Sequence, residues 1–380
     1  MNRSLIALGV AAAVAFPVAA QAAPKVYGKL NLSVENIDED TRFADRWELV
    51  SNASRFGVKG EDELTANLSA VYQIEWEVSG DGNATDMGQR NRFLGIKHSS
   101  FGTLKLGKYD TYLKLAQGEV DLFNDLNADM GKVLAGENRV NNAIGYESPK
   151  FAGVAFNLMA IPGEESPNAA TPAPSAGSTD DNHLGDYFST SVVYSNEDLG
   201  LYAALAYDKD VSSNFAAIDT FGTAPAFAVG TTGSGATLKT DKTDILRAVV
   251  SYNLKEVGLT LNAMVQQAER SEENTIATLA KKVPTEDSYL VSAAYKLGES
   301  WVLKAQYVAS TTSVDVPAVK DVDLTQTSIG ADYNITSKTK VFGYYSLRNH
   351  SNENNPVLAA NGKTQDYDSS FAGIGLDHKF

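Results

Sequence analysis

Residues 64–78 read LTANLSAVYQIEWEV. Leu64, Ala66, Leu68, Ala70, Tyr72, Ile74, Trp76 and Val78 fall on one side of an extended chain, while Thr65, Asn67, Ser69, Val71, Gln73, Glu75 and Glu77 fall on the other. Successive side chains of a strand point to opposite faces, whereas a helix repeats every 3.6 residues, so the stretch predicts a strand with one apolar and one polar face. The same period of two runs through Val26, Gly28, Leu30, Leu32 and Val34, through Leu246, Ala248, Val250, Tyr252 and Leu254, and through Tyr289, Val291, Ala293, Tyr295 and Leu297. It ends in Ala372, Ile374, Leu376, His378 and Phe380.

Two architectures produce such alternation. A soluble sandwich buries the apolar face, and an outer-membrane barrel turns it to lipid and keeps the polar face around a lumen. Length favours the barrel: many segments run about 10 to 14 residues, beyond the usual strand mode of about 5 to 6 and suited to a tilted membrane strand. Aromatics near segment ends (Tyr27, Tyr207, Tyr252, Trp301, Tyr307, Tyr333, Phe380) fit interfacial girdles. Short turns are expected at 60–63, 99–102, 148–150, 196–198, 255–256, 298–299 and 336–338, alternating with long polar segments at 37–46, 80–89, 110–138, 162–185, 210–240, 269–286, 313–322 and 350–367. Eight loops, seven turns and two free ends give an all-β, sixteen-stranded antiparallel transmembrane β-barrel.

The composition agrees. Of 380 residues 43% are hydrophobic, enough to exclude wholesale disorder, and none is cysteine, which removes disulfides, thiolate metal sites and cysteine nucleophiles. A formal net charge of -15 argues against a nucleic-acid partner, whose phosphates need clustered Lys and Arg. Met1–Ala22 has a basic start at Arg3, an apolar run broken by Pro17 and the triplet Ala20-Gln21-Ala22, the pattern of a secretory signal peptide cleaved after Ala22. Residues 23–380 then form one barrel domain, because the dyad resumes unchanged after the Ala-, Pro-, Thr- and Gly-rich loops at 162–179 and 216–238.

Several local motifs carry a family likeness. Val26-Tyr27-Gly28-Lys29, Ser54-Arg55-Phe56-Gly57-Val58-Lys59-Gly60-Glu61, Arg90-Asn91-Arg92-Phe93-Leu94-Gly95-Ile96-Lys97, Phe101-Gly102-Thr103-Leu104-Lys105-Leu106-Gly107-Lys108 and Arg139 followed by Tyr146 resemble the first, second, fourth, fifth and sixth strands of the general porins of Gram-negative bacteria. The likeness implies a bacterial outer-membrane homotrimer, surrounded by lipid and lipopolysaccharide, with a water-filled pore in each subunit for passive diffusion of small hydrophilic solutes and ions. It also implies an inward-folded third loop facing a basic wall. Carried over strand by strand, that wall is Lys29, Arg55, Arg90 and Arg139, with Arg92 on the face of Arg90. The loop, at about 110–138, offers Glu119, Asp121, Asp125 and Asp129. C-terminal Phe380 resembles the outer-membrane assembly signal.

Lys29 and Arg139 also lie on the polar faces of clear dyads, so their lumen placement has independent support. The third loop lacks the proline- and glycine-rich tip of enteric porins, and its Leu113, Leu115, Val120, Leu122 and Leu126 also fit a short packed helix whose acids are merely solvated. On the fourth strand Arg90 and Arg92 share a face with Leu94 and Ile96, which suggests packing against another subunit. No cofactor or metal is called for. The four histidines lack the i, i+4 spacing of a helical zinc pair, and 81–86 lacks the terminal Glu of a calcium loop. A loop-borne hydrolase using His350-Ser351-Asn352 and an adhesion barrel with a plugged lumen are the alternatives to a channel. Adjacent residues rarely orient as a triad, which disfavours the first.

Overall fold

The computed structural model describes residues 23–39, 43–83, 87–162, 184–185, 187–213, 215, 242–271, 285–313, 321–351 and 366–380. The expected signal peptide at 1–22 and the low-complexity loop interiors lie outside them. Seventeen strand segments hydrogen-bond into one sheet: β1 (Lys25–Glu39), β2 (Phe43–Ser51), β3 (Arg55–Thr65), β4 (Leu68–Glu77), β5 (Gly88–His98), β6 (Gly102–Asp110), β7 (Arg139–Glu147), β8 (Val154–Ala160), β9 (Phe188–Asn196), β10 (Leu201–Val211), β11 (Thr243–Leu254), β12 (Leu259–Arg270), β13 (Thr285–Leu297), β14 (Trp301–Ser313), β15 (Val322–Asn334), β16 (Thr339–Ser351) and β17 (Tyr367–Lys379). All neighbours run antiparallel, and β1 pairs with β17 from Lys29↔Lys379 to Glu39↔Ser369, so the sheet closes. Closure removes free edges, the condition for a sheet in lipid.

β2 and β3 are halves of one barrel strand, since β1 pairs with β2 over its upper part and with β3 over Lys25–Lys29. The barrel therefore has sixteen strands. The break spans Asn52–Ser54, where Ala53 adopts φ 48. Buried polar groups hold it: Asn52 Nδ2 donates to Ser33 Oγ at 2.7 Å, and Asn31 N donates to Ser54 Oγ at 3.0 Å. A bulge re-aims the next side chain. Here that side chain is Arg55.

Burial is inverted relative to a soluble sandwich. Outward Val265, Ile329 and Ile374 are 59%, 58% and 63% exposed, while inward Arg247, Gln326 and Ser346 are 0% exposed. That inversion selects the membrane barrel. Six of the seven expected turns lie between strands; the first does not. Residues 60–63 continue β3, and the hairpin tightens at Ala66–Asn67, so the decisive dyad of 64–78 spans a turn. Glycine and acids mimic turn chemistry there, but Gly60 is required by packing: a Cβ on it would lie 2.3 Å from the Tyr72 hydroxyl.

The core sits inside the barrel. Leu113, Val120, Met130, Val133 and Leu134 of the segment between β6 and β7 pack against Ala204, Val249, Met264, Leu290, Val308 and Leu324 of the inner wall. Phe123, Leu126 and Ala128 pack against Ile37, Phe342, Tyr344 and Phe371.

Candidate permeation site

The third loop opens with a single helical turn, α1 (Tyr112–Leu115), capped by Thr111, whose hydroxyl accepts from Lys114 N at 3.2 Å. A 3-10 turn follows at Met130–Lys132. The apolar periodicity noted in the sequence thus produces only one helical turn, and the rest is irregular backbone. Such backbone needs partners once removed from water. The inner wall supplies them one strand at a time. Tyr202 Oη donates to Ala116 O at 2.9 Å, Ser292 Oγ to Val120 O at 2.7 Å, Ser310 Oγ to Val133 O at 2.6 Å and Gln326 Nε2 to Ala128 O at 2.7 Å. Gln306 accepts from Leu122 N at 2.8 Å, and Glu286 accepts from Ala135 N at 2.9 Å. Arg247, wholly buried, donates to Gln266 Oε1 at 2.7 Å, to Glu137 Oε1 at 2.9 Å and to Ala135 O at 3.2 Å. The loop is fastened along the inner side of β9 to β16.

The four loop acids separate into three roles. Asp125, itself at φ 71, reaches the wall: its Oδ2 lies 2.7 Å from Lys29 Nζ and 3.3 Å from Arg55 Nη1. Burial pushes its carboxyl up, but the Lys29 and Arg55 charges outweigh burial and hold it below the usual carboxylate range. Asp121 and Asp129 instead fold the loop. Asp121 accepts from Phe123 N and Met130 N, each at 3.0 Å, and from Gln306 Nε2 at 2.9 Å. Asp129 accepts from Asp125 N and Gly131 N, each at 2.7 Å. Burial pushes both carboxyls up; the Asp129 charge adds to the effect at Asp121 and the Glu137 charge at Asp129. Glu119 is exposed.

On the opposite side β3 to β7 bring Arg55, Arg90 and Arg139 to the inner face. Arg90 donates from Nε to Glu75 Oε1 at 2.7 Å and from Nη1 to Glu77 Oε2 at 3.2 Å. Arg139 Nη2 lies 3.0 Å from Asp110 Oδ1. Arg92 does not join them. The β4–β5 register shifts between Ile74 and Trp76, so that two residues, Arg90 and Asn91, oppose Glu75. The extra residue puts Arg90 inside and leaves Arg92 outside with Leu94 and Ile96, its guanidinium 5.8 Å from the Trp76 ring. Arg92 is paired in register with outward Lys108, beside a notch of about 1110 Å³ lined in part by Tyr72, Ile74 and Asn142. Strict alternation, the basis for grouping Arg92 with Arg90, fails at a bulge.

Three wall acids beyond those expected from the sequence complete the arc: Glu75, Glu77 and Asp110. Glu75 and Glu77 stand on the polar face of the dyad that decides the fold, which is the signal that could have found them. His350 lies within β16, buried on its inner face, rather than in an outer loop; Asn352 is outside the described residues. Asp81 accepts from Ser79 Oγ at 2.7 Å, and among the described residues no cluster of three metal-ligating side chains occurs. Phe380 exchanges backbone hydrogen bonds with Gly28, and its ring covers that glycine, where a Cβ would lie 2.2 Å from Cζ.

The profile of the Gram-negative porin family matches residues 7–355. The chain belongs to that family. Major outer membrane protein P.IB of Neisseria sicca is 32% identical over 173 residues, 43% of this chain and 47% of the relative; that of Neisseria lactamica is 30% identical over 178 residues, 44% and 51%. The chain spans about half the length of these curated relatives. Among solved structures, an anion-selective porin from Comamonas acidovorans has TM-score 0.65 at 19% identity, covering 94% of this chain and 99% of that one. Salmonella typhi OmpF in complex with daunomycin has TM-score 0.64 at 16% identity, covering 94% and 97%. Both share the porin fold. Family and lipid-facing belt place this porin in the bacterial outer membrane.

Proposed function

We propose that this porin is a water-filled channel for passive diffusion of small hydrophilic solutes and ions, rather than an enzyme. One observation carries the reading: the third loop is fastened to the inner side of β9 to β16 and presents Asp125 to a charged arc on β1 and β3 to β7. A lumen narrowed on one side and lined by charges on the other admits polar solutes and disfavours apolar ones. Lys29, Arg55, Arg90 and Arg139 are the wall residues of this constriction and Asp125 is the loop residue facing them. Asp121 and Asp129 shape the loop behind it.

We assign a homotrimer, with the β5–β8 face turned toward another subunit. β8 has 7 residues, short of the about 9 to 11 that a lipid-facing strand needs, and β6 and β7 with 9 each sit at the lower end of that range, against 13 in β13 to β17. Arg92 and Lys108 on that face would each cost about 2–4 kcal/mol at the bilayer midplane. A neighbouring subunit offsets both problems. Lipid and lipopolysaccharide then contact the longer strands, and residues 1–22 act as the secretory signal.

Purified protein in a planar bilayer should add conductance in steady ohmic steps grouped in threes. Absence of conductance from correctly assembled protein would reject the channel and favour a plugged binding barrel.

A further inference from the structure

We propose that Glu75, Glu77 and Asp110, carboxylates of the barrel wall itself, set the channel's ion preference by cancelling the charge of the bases beside them. The proposal rests on the channel reading and adds to it which residues decide the sign of the permeating ion.

The wall cations are already partnered within the protein. Glu75, 6% exposed, accepts from Tyr27 Oη at 2.9 Å on one oxygen and from Arg90 Nε at 2.7 Å on the other. Glu77, directly across the sheet from Arg55, takes the second arm of Arg90. Asp110 is paired in register with Arg139, and Asn91 ties the couple together by donating to Asp110 Oδ2 at 3.0 Å while accepting from Arg139 Nε at 2.5 Å. Asp125 takes Lys29 and Arg55. Four wall bases thus meet four acids, three from the wall and one from the loop, and Lys114 of the loop is itself balanced between Asp110, at 3.8 Å, and Glu137, at 3.9 Å.

Such couples act on a passing ion as dipoles, whose fields fall off faster with distance than that of a bare charge. Charges beyond roughly 10 Å are screened at about 0.1 M salt, so the net charge of -15 on the whole chain has little effect at the eyelet. The ion responds to the local sum, which is close to zero. A basic wall facing an acidic loop would give a directional field with bare cations on one side. Here the wall alternates in sign along its own surface, and the intact channel discriminates weakly between cations and anions.

Removing one member of a couple exposes one unit of charge. Acting through water at about 6 Å, one charge changes the occupancy of each ion about threefold, in opposite senses for anion and cation, and so changes their ratio about tenfold. In bilayers with a tenfold KCl gradient, wild-type protein should show a chloride-to-potassium permeability ratio within about twofold of unity. Glu75→Gln and Asp110→Asn should each raise that ratio about tenfold, and Arg90→Gln should lower it about tenfold. The double variant E75Q/R90Q, which deletes a neutral couple, should return to the wild-type ratio; a merely structural role for Glu75 would not produce opposite shifts that cancel. Should E75Q alone fail to assemble, R90Q, D110N and the double variant still decide. A strongly selective wild type, or assembled D110N and R90Q channels with the wild-type ratio, would overturn the proposal. Absence of wild-type conductance would instead overturn the channel reading.

Discussion

The two sides of the lumen are built from the same alternating sheet and differ in what the inward positions carry. From β9 to β16 many are small or uncharged, such as Ser189, Ala204, Ser292, Gln306, Ser310 and Gln326, and all six are buried under or beside the third loop. From β3 to β7 they carry the paired charges of Arg55, Glu75, Glu77, Arg90, Asp110 and Arg139. Short side chains let irregular backbone approach and offer it hydrogen bonds. The charged groups of β9 to β16, Arg247, Glu286 and Lys304, bond the loop backbone as well, whereas those of β3 to β7 pair with one another across the sheet. The third loop therefore has one side to lie on, and the lumen narrows eccentrically.

Arg247→Ala would break this division most. It leaves Glu137 and the Ala135 carbonyl short of a buried partner, a loss of about 3–5 kcal/mol. Denaturant or thermal unfolding of the assembled protein should show it, together with noisy conductance. Leu134→Ala removes a side chain 1% exposed in the loop-to-wall core and should cost about 2–4 kcal/mol in the same assay. On the charged side, Asp125→Asn should leave stability less affected but expose Lys29 and Arg55, raising the chloride-to-potassium ratio about tenfold in a gradient recording.

Acid separates the two sides again. The Asp125 carboxyl is held low, so its clamp contributes stability above an unfolded pKa of about 4 and loses it only as pH falls through the lower folded value. Asp121 is pushed up to about 8 and Asp129 is pushed up as well, so each adds stability to the folded loop as pH falls through its raised folded value toward an unfolded pKa of about 4. Amide protection in the loop, corrected for the intrinsic pH dependence of exchange, should therefore rise as pH falls from about 8 to about 5, and the Asp125 contact should survive below about pH 4. The smallest effect belongs to Arg92→Gln. Lying outside the lumen, it should leave the permeability ratio unchanged and weaken trimers on non-denaturing gels.

Much of this was legible in the amino-acid sequence. The period of two, the segment lengths and the turn spacing lead to a sixteen-stranded barrel, and they do so because lipid imposes alternation on each strand independently. Lys29 and Arg55 follow from their strand motifs and meet Asp125 as the charge pattern suggests. Arg92 does not, because a single extra residue in β5 reverses the face of everything beyond it, and no propensity marks that bulge. The first turn fails for a related reason: Gly60 with its acidic neighbours is explained by a tyrosine ring on the next strand. The separation of the loop acids into one wall contact and two loop-shaping groups depends on the path of irregular backbone, which alternation does not encode.

The most direct measurement is a planar-bilayer recording of the unmodified protein across a tenfold KCl gradient. The channel with an internally neutralised wall predicts steady steps whose current reverses within about 15 mV of zero, well short of the roughly 59 mV limit for a single permeant ion. No steps, or a reversal potential near that limit with either sign, would contradict it.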